Sequence, residues 1–297
     1  MVQGQRLAGI ELGGTKCIAV LGDGATIVDQ ASVPTQDPHA TLAALHQQLL
    51  RWHREAPLAA LGIASFGPIA LDPAGPAFGT MLPTPKPGWS GAAILAPLAG
   101  ELPCPVRIDT DVNGAALAEY LWGAGQGFDS LCYVTIGTGV GAGLLVEGCC
   151  VHGAMHPEIG HLRLRRAAGD RFAGSCAFHG DCIEGLVSGP ALAKRFGMPG
   201  EEIPDDHWQW RHVASDLAEL VGAILHTTAP WRIMFGGSVP LARPFLLDQV
   251  RAIAVDRFAS YLPFLDRDSS QTIIGLAGLG AQAGPLGALA LASEAAG

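Results

Sequence analysis

Short apolar runs recur along the chain, and each is cut by glycine, proline or a charged residue before it reaches ~18 residues. These runs predict strands, which are expected at residues 6–12, 16–22, 58–64, 105–108, 131–136, 140–146 and 231–235. The segments between them predict helices, which are expected near residues 38–54, 89–100, 112–122, 184–196, 211–228, 240–259 and 278–295. Because strands and helices alternate, the sequence predicts an α/β protein.

A hairpin with a Gly-Thr turn occurs twice, first around Gly13-Gly14-Thr15 and again around Gly137-Thr138-Gly139. A single hairpin of this kind is usually only a turn. Two copies about 125 residues apart indicate a duplicated unit. We therefore expect an N-terminal α/β domain over residues 1–118, completed by a C-terminal helix at about 278–297, and a second α/β domain over 119–277.

Composition restricts the class of protein. The net charge of -9 and the isoelectric point near 5.5 argue against a nucleic-acid partner. Only 15% of the residues are charged and the mean hydropathy is +0.30, but 40 glycines interrupt the apolar stretches, so no membrane span is expected. The N-terminus leads directly into a strand without a targeting segment, which favours a cytoplasmic location.

Seven cysteines are present, at positions 17, 104, 132, 149, 150, 176 and 182. Their odd number and the lack of a signal peptide argue against disulfides. All seven can be small buried hydrophobes, and for five of them we favour that interpretation. Cys176 and Cys182 differ because they enclose His179 in a loop with glycine and aspartate, with His161 upstream. This Cys2His2 set predicts a closed structural zinc site in a loop over residues 148–182.

Two carboxylates accompany the predicted zinc ligands. Glu158 precedes His161 by three residues, and Glu184 follows Cys182 by two. The metal would therefore hold two acids near one place, as a ligand with many hydroxyl groups requires.

Asp109, Asp111 and Asn113 lie where a predicted strand ends and a helix begins. An aspartate at this point often serves only as a helix cap. Two acids and an asparagine exceed that need, and the carboxyl ends of strands are where α/β folds bind ligands. An aspartate here can accept the proton of an attacking hydroxyl during phosphoryl transfer. We favour Asp111 for this role, with Asp109 as a local structural acceptor.

Two glycine-rich turns remain. Residues 137–142 formally match the dinucleotide fingerprint, but the fingerprint must open a helix, whereas residues 143–147 predict a strand. What remains is a hairpin whose backbone N–H groups can approach an anion. Gly236-Gly237-Ser238 follows another strand, and it is either an ordinary tight turn or a flat surface for a purine.

These motifs together resemble the ROK family of bacterial sugar kinases. The resemblance rests on segments spread along nearly the whole chain: residues 9–16, 109–114, 135–141, 156–161, 176–184, 236–237 and 283–288. The C-x2-H-x2-C loop and Thr84-Pro-Lys-Pro-Gly-Trp89 are similar to the fructokinase branch of that family. Since no helix-turn-helix precedes Gly9, we do not expect a member of the repressor branch.

The resemblance implies an actin-like, hexokinase-type ATPase fold with two ribonuclease-H-like domains and an inter-domain cleft. It implies a catalytic base at Asp111 and sugar contacts at Glu158, His161 and Glu184. It implies structural Zn²⁺, and Mg²⁺ with ATP. The implied zinc ligands are His161, Cys176, His179 and Cys182. The implied nucleotide-binding residues are Gly13, Gly14, Thr15, Lys16, Gly137, Thr138, Gly139, Pro190, Gly236 and Gly237.

Three positions depart from the family pattern. Glu11 stands where most members have aspartate, although fructokinase-like members agree with this chain. Thr110 replaces an asparagine of glucose-using members, which disfavours a glucokinase. Ser238 interrupts a usual third glycine at the nucleotide rim.

The expected function is therefore ATP-dependent phosphorylation of a hexose, foremost D-fructose to fructose 6-phosphate, by a homodimeric fructokinase. A broad-specificity hexokinase or mannokinase is the alternative enzyme. A sensor that binds sugar and nucleotide without turnover is the alternative from another class, and an intact Asp111 argues against it.

Overall fold

The computed structural model describes residues 4–297, and the chain forms two compact units. The first unit comprises the described residues up to Gln126 together with Cys150–Pro157 and Ala281–Gly297. The second comprises Gly127–Cys149 and Glu158–Gly280. The first three residues, where no targeting segment is expected, lie outside the described part.

The first unit contains a five-stranded sheet in the order β3-β2-β1-β4-β5. Its strands are β1 (Leu7–Leu12), β2 (Lys16–Asp23), β3 (Thr26–Pro34), β4 (Ala60–Ser65) and β5 (Val106–Thr110). The first three form an antiparallel meander, and β4 and β5 continue the sheet parallel to β1. The helices of this unit are α1 (Pro38–Glu55), α2 (Leu95–Ala99), α3 (Asp111–Trp122) and α10 (Ala283–Ala296).

The second unit contains another five-stranded sheet, in the order β8-β7-β6-β9-β10. Its strands are β6 (Leu131–Ile136), β7 (Val140–Val146), β8 (Cys149–Cys150), β9 (Arg232–Gly236) and β10 (Ile274–Leu276). The helices are α4 (Ile183–Val187), α5 (Gly189–Phe196), α6 (Trp210–Thr227), α7 (Ser238–Ala242), α8 (Phe245–Phe258) and α9 (Arg267–Ile273). The sheet has the strand order of the first unit, as the repeated Gly-Thr hairpin predicts.

The C-terminal helix packs on the sheet of the first unit, and glycines allow its close approach. A Cβ atom on Gly62 of β4 would lie 2.0 Å from the carbonyl oxygen of Ala288, and one on Gly9 of β1 would lie 2.8 Å from the Ala288 Cβ. Because a side chain at either position would push α10 away, this close approach requires glycine at positions 9 and 62.

Several predicted elements differ from the structure. The helix expected over 184–196 is two helices, since the backbone of Ser188 is extended and its hydroxyl accepts a hydrogen bond from Ala191 N to cap α5. The helix expected over 240–259 is likewise divided, at Arg243 and Pro244. The helix expected over 89–100 shortens to α2, and β3, α9 and β10 were not predicted. Among residues 4–297, no helix is both long and apolar enough to cross a bilayer.

Candidate functional site

Four side chains of the second unit converge as the Cys2His2 prediction requires. One ligand atom from each of His161, Cys176, His179 and Cys182 lies within 4.8 Å of all the others. His161 Nδ1 lies 3.6 Å from the Cys182 Sγ atom and 3.8 Å from that of Cys176. A tetrahedral zinc ion with nitrogen and sulfur ligands has ligand–ligand separations of roughly 3.5–3.8 Å. The donor set therefore fits zinc, and the two distances from His161 to the sulfur atoms match such a site.

The loop that carries these ligands is closed by its own backbone. Cys176 N donates to Gly180 O at 3.1 Å, and Gly180 N donates to Cys176 O at 3.0 Å. Gly174 has a φ of +82°, and a Cβ atom there would lie 2.2 Å from Gly180 O. Arg163 Nη2 also lies 2.9 Å from Asp181 Oδ1, next to the last ligand. Local hydrogen bonds thus bring the ligands together over a short stretch of chain.

The protonation of the cysteine thiols affects how this cluster would bind zinc. Burial raises the pKa of Cys182 to about 11, and the neighbouring Cys176 adds to the effect. Zinc binds the thiolate form, so its binding would release protons from this pair.

The two acids predicted beside the metal site lie together. The Nδ1 atom of His161 faces the sulfurs, and its Nε2 atom lies 3.9 Å from Glu158 Oε2. Burial, together with the charge of Glu184, raises the pKa of Glu158 to about 7. Glu158, His161 and Glu184 form what we call the corner of the second unit. It offers two carboxyl groups and one imidazole nitrogen, which suit the hydroxyl groups of a sugar.

Glu184 also joins this corner to the second Gly-Thr hairpin. Its Oε2 atom accepts a hydrogen bond from Val140 N at 3.1 Å, and a Cβ atom on Gly139 would lie 2.8 Å from the same oxygen. On the other side of the hairpin, Gly189 N donates to Gly137 O at 2.7 Å. The hairpin is thus fixed between α4 and the start of α5, where Pro190 lies.

The predicted nucleotide rim reaches the same hairpin. Gly237 has a φ of +84°, and a Cβ atom there would lie 2.5 Å from Ile136 O, so this position requires glycine. A Cβ atom on Gly137 would lie 3.8 Å from Ser238 Oγ. The structure therefore brings the turn after β9 next to the Gly137-Thr138-Gly139 turn.

In the first unit, the carbonyl groups of the first Gly-Thr hairpin are all engaged. Thr35 Oγ1 donates to Gly13 O at 2.7 Å, and Thr35 N donates to Thr15 O at 3.0 Å. The ammonium group of Lys86 donates to Gly14 O. Neither Thr35 nor Lys86 was assigned a role from the sequence, although Lys86 lies in the Thr84–Trp89 motif.

The start of α3 separates the two aspartates. Thr110, not an aspartate, caps this helix, because its Oγ1 atom accepts from Asn113 N at 3.1 Å. Asp111 is the first helical residue, is partly exposed, and its Oδ1 atom accepts from Val112 N at 2.9 Å. Asp111 thus presents a partly exposed carboxyl group at the start of α3.

Asp109 is buried and has the structural role predicted for it. It accepts hydrogen bonds from Thr110 N at 2.7 Å and from Asn113 Nδ2 at 2.8 Å. His152 Nε2 lies 2.9 Å from its Oδ2 atom, and this hydrogen bond raises the pKa of His152. No role was predicted for His152 from the sequence, and the one signal for it was its place four residues before His156.

Comparisons with known proteins identify relatives along nearly the whole chain. The model of the ROK family matches residues 7–295. A fructokinase from Zymomonas mobilis is 41% identical and aligns over 96% of this chain and 96% of its own. A fructokinase from Pediococcus pentosaceus is 36% identical over 97% and 98%.

A solved structure extends the likeness to the fold. The ROK hexokinase from Thermus thermophilus superposes with a TM-score of 0.76 at 27% identity, over 98% of both chains. The predicted fold class, an actin-like ATPase fold of the hexokinase type, is confirmed. From the match over residues 7–295 and these relatives, we conclude that the chain belongs to the ROK family.

Proposed function

We propose that this protein is a fructokinase, which transfers the γ-phosphoryl group of ATP to the 6-hydroxyl group of D-fructose. The observation that carries the proposal is the group formed by Glu158, His161 and Glu184 beside the Cys2His2 cluster and the Gly-Thr hairpin. The relatives that align over nearly the full length and are named fructokinase support the choice of sugar.

Asp111 is the proposed general base. The 6-oxygen of the sugar attacks the γ-phosphorus, the bond between that phosphorus and the β–γ bridging oxygen breaks, and ADP leaves. The proton of the 6-hydroxyl group passes to the Asp111 carboxylate. Asp109 does not compete for this role, because its oxygens already accept hydrogen bonds from Thr110 and His152.

The remaining hydroxyl groups of the sugar are bound by the second unit in this proposal. Glu158 and Glu184 accept hydrogen bonds, and His161 donates from Nε2. Zinc, when bound to His161, Cys176, His179 and Cys182, supplies a rigid anchor that fixes the imidazole and its tautomer.

The proposed nucleotide contacts are those that the family resemblance implies. Backbone N–H groups of the two Gly-Thr hairpins, with Lys16, contact the phosphates, and Mg²⁺ neutralises part of their charge. Pro190, Gly236 and Gly237 border the nucleoside.

Thr110 is the basis for the predicted order of substrates. Its hydroxyl group is already engaged as the cap of α3, and it has no amide to offer a sugar. A site built on specific hydrogen bonds discriminates strongly, because an unmatched sugar leaves polar groups unpaired. We expect fructose to have the highest kcat/KM, mannose to be second, and glucose and N-acetylated sugars to be poor substrates.

The decisive experiment measures ADP release with ATP and a panel of hexoses, with and without Mg²⁺. Activity restricted to fructose supports the fructokinase. Comparable activity on several hexoses supports the broad hexokinase or mannokinase. Binding of sugar and nucleotide without ADP release would leave the sensor as the explanation. A homodimer and a cytoplasmic location remain predictions.

A further inference from the structure

The segment from Thr84 to Ser90 is a firmly anchored loop of the first unit. The side chain of Trp89 is fully buried, and its Nε1 atom donates to Gln36 O at 3.0 Å. Thr84 N donates to Ser90 Oγ, and Ser90 Oγ donates back to Thr84 O, both at 3.1 Å. Because prolines also flank Lys86 on both sides, the loop presents this lysine with little backbone freedom.

Lys86 reaches the turn of the first hairpin from this loop. Its ammonium group donates to Gly14 O, across 72 residues of chain. A lysine ammonium carries three N–H donors, and the hydrogen bonds found among the described residues use one of them. A Cβ atom on Gly14 would meet none of the described atoms within 4 Å, so there is space in front of this turn.

The positions of the lysine residues in the chain also point to the first hairpin. The chain has three, at positions 16, 86 and 194, and a net charge of -9. Lys16 begins β2 directly after the turn, and Lys86 contacts the turn, so two of the three lie at one hairpin. The nearby carboxyl group of Glu11, whose pKa is raised by burial, offsets only part of this positive charge, so the pair indicates a site for an anion.

We propose that Lys86 is a further phosphate-binding residue, which contacts oxygen atoms of the ATP phosphates while Gly14 O holds its ammonium group in place. This inference rests on the proposed function for the identity of the anion. A fixed positive charge beside the phosphates stabilises the charge that moves from the transferred group to ADP. Lys86 thus adds a side-chain charge to the backbone N–H groups of the hairpin.

The test compares Lys86→Met with Lys194→Met. Lys194 is an exposed residue in the last turn of α5, so the control loses the same charge away from the hairpin. For Lys86→Met we expect kcat/KM for ATP to fall by about 10²–10³-fold, and the affinity for AMPPNP measured by calorimetry to fall with it. For Lys194→Met both should stay within about two-fold of the unmodified protein, since surface charges far from a site contribute little.

Two more variants distinguish an effect of the positive charge of Lys86 from an effect of its hydrogen bond to Gly14 O. Lys86→Gln keeps a donor for Gly14 O without the charge, and Lys86→Arg restores the charge. Partial rescue by arginine together with loss in glutamine supports the proposal. Normal ATP kinetics in Lys86→Gln, or equal behaviour of Lys86→Met and Lys194→Met, would overturn it. If Lys86→Met does not fold, the Lys86→Gln and Lys86→Arg pair decides.

Failure of the proposed function would look different. If the unmodified protein releases no ADP with any hexose, the kinase proposal fails, and AMPPNP binding by the same variants still tests Lys86. If Lys86 alone is wrong, the unmodified protein phosphorylates a sugar and the Lys86 variants do so equally well.

Discussion

The two sheets of this protein have the same strand order, yet their Gly-Thr hairpins are supported by groups of opposite charge. In the first unit, the turn of the hairpin is held by Thr35 and by the ammonium group of Lys86. In the second unit, the end of the turn is held by the carboxylate of Glu184, which accepts from Val140 N. The same backbone motif is therefore contacted by an ammonium group in one unit and by a carboxylate in the other.

The difference lies in the segments between the strands. Lys86 comes from the connection between β4 and β5, and Glu184 lies directly after the zinc-ligand loop, in the connection between β8 and β9. The strands fix where a turn lies, and the connecting segments decide what it binds. The two hairpins therefore share a backbone motif and a proposed role in phosphate binding, but different side chains from the connecting segments contact them.

The largest effect is expected for the proposed base in the first unit. Asp111→Asn keeps the shape and an acceptor for Val112 N but cannot take a proton, so kcat should fall by about 10²–10⁴-fold while hexose binding persists. Steady-state kinetics and calorimetry measure the two quantities. Asp206→Asn, at an exposed position, is the matched control. Near-normal turnover of Asp111→Asn would remove this residue from the mechanism.

The next effect concerns the metal that supports the second unit. Elemental analysis should find about one zinc per chain, and Cys176→Ser or Cys182→Ser should lose it. Because the corner with Glu158 and Glu184 then loses its anchor, hexose binding should weaken by about 1–3 kcal/mol, before ATP binding is affected. Cys149→Ser, which changes an exposed thiol outside the cluster, should keep the zinc. A metal-free preparation with full hexose affinity would contradict the role of the cluster.

A smaller effect is expected when the negative charge beside the second hairpin is removed. Glu184→Gln keeps an oxygen that can accept from Val140 N but removes the negative charge beside the hairpin. Hexose affinity should fall by about 1 kcal/mol. AMPPNP affinity should stay equal or rise, because repulsion of the phosphates decreases, whereas Lys86→Met should lower it. Glu201→Gln, at an exposed position, is the control. A loss of AMPPNP affinity in Glu184→Gln would show that the hairpins do not differ in this way.

The smallest effect concerns the support of α3. The hydrogen bond to Asp109 raises the pKa of His152, against the opposing effects of burial and of Arg107. A raised pKa in the folded state stabilises the protein below the unfolded value of ~6.5, and this contribution is lost as the pH rises through the folded value. Since His152 is about one-third exposed, screening limits the contribution to about 0.5–1 kcal/mol.

His152→Gln should therefore lower the urea midpoint more at pH 6 than at pH 9. His39→Gln, at an exposed position of α1, should change it equally little at both. A difference between His152→Gln and the unmodified protein that does not vary with pH would exclude this ionic contribution.

Features that depend on short stretches of chain could be predicted from the sequence alone. Strands β6 and β7 have the predicted bounds, because an apolar run, a glycine turn and a second apolar run specify a hairpin locally. The four side chains of the proposed metal site lie close together, since the loop from Cys176 to Cys182 closes on its own backbone. The capping of α3 was only partly predicted, because Asp109, Thr110 and Asp111 are all suitable caps.

Which residues from distant parts of the chain form hydrogen bonds with each turn depends on the tertiary structure. Lys86 and Gly14 are 72 residues apart, Glu184 and Val140 are 44 apart, and His152 and Asp109 are 43 apart. Hydrophobic periodicity says which face of an element is buried but not which other segment covers it. The close packing of α10 on β1 and β4, made possible by Gly9 and Gly62, is of the same kind. Such pairings form because the whole core must fill its volume at once, and no local pattern in the sequence encodes that condition.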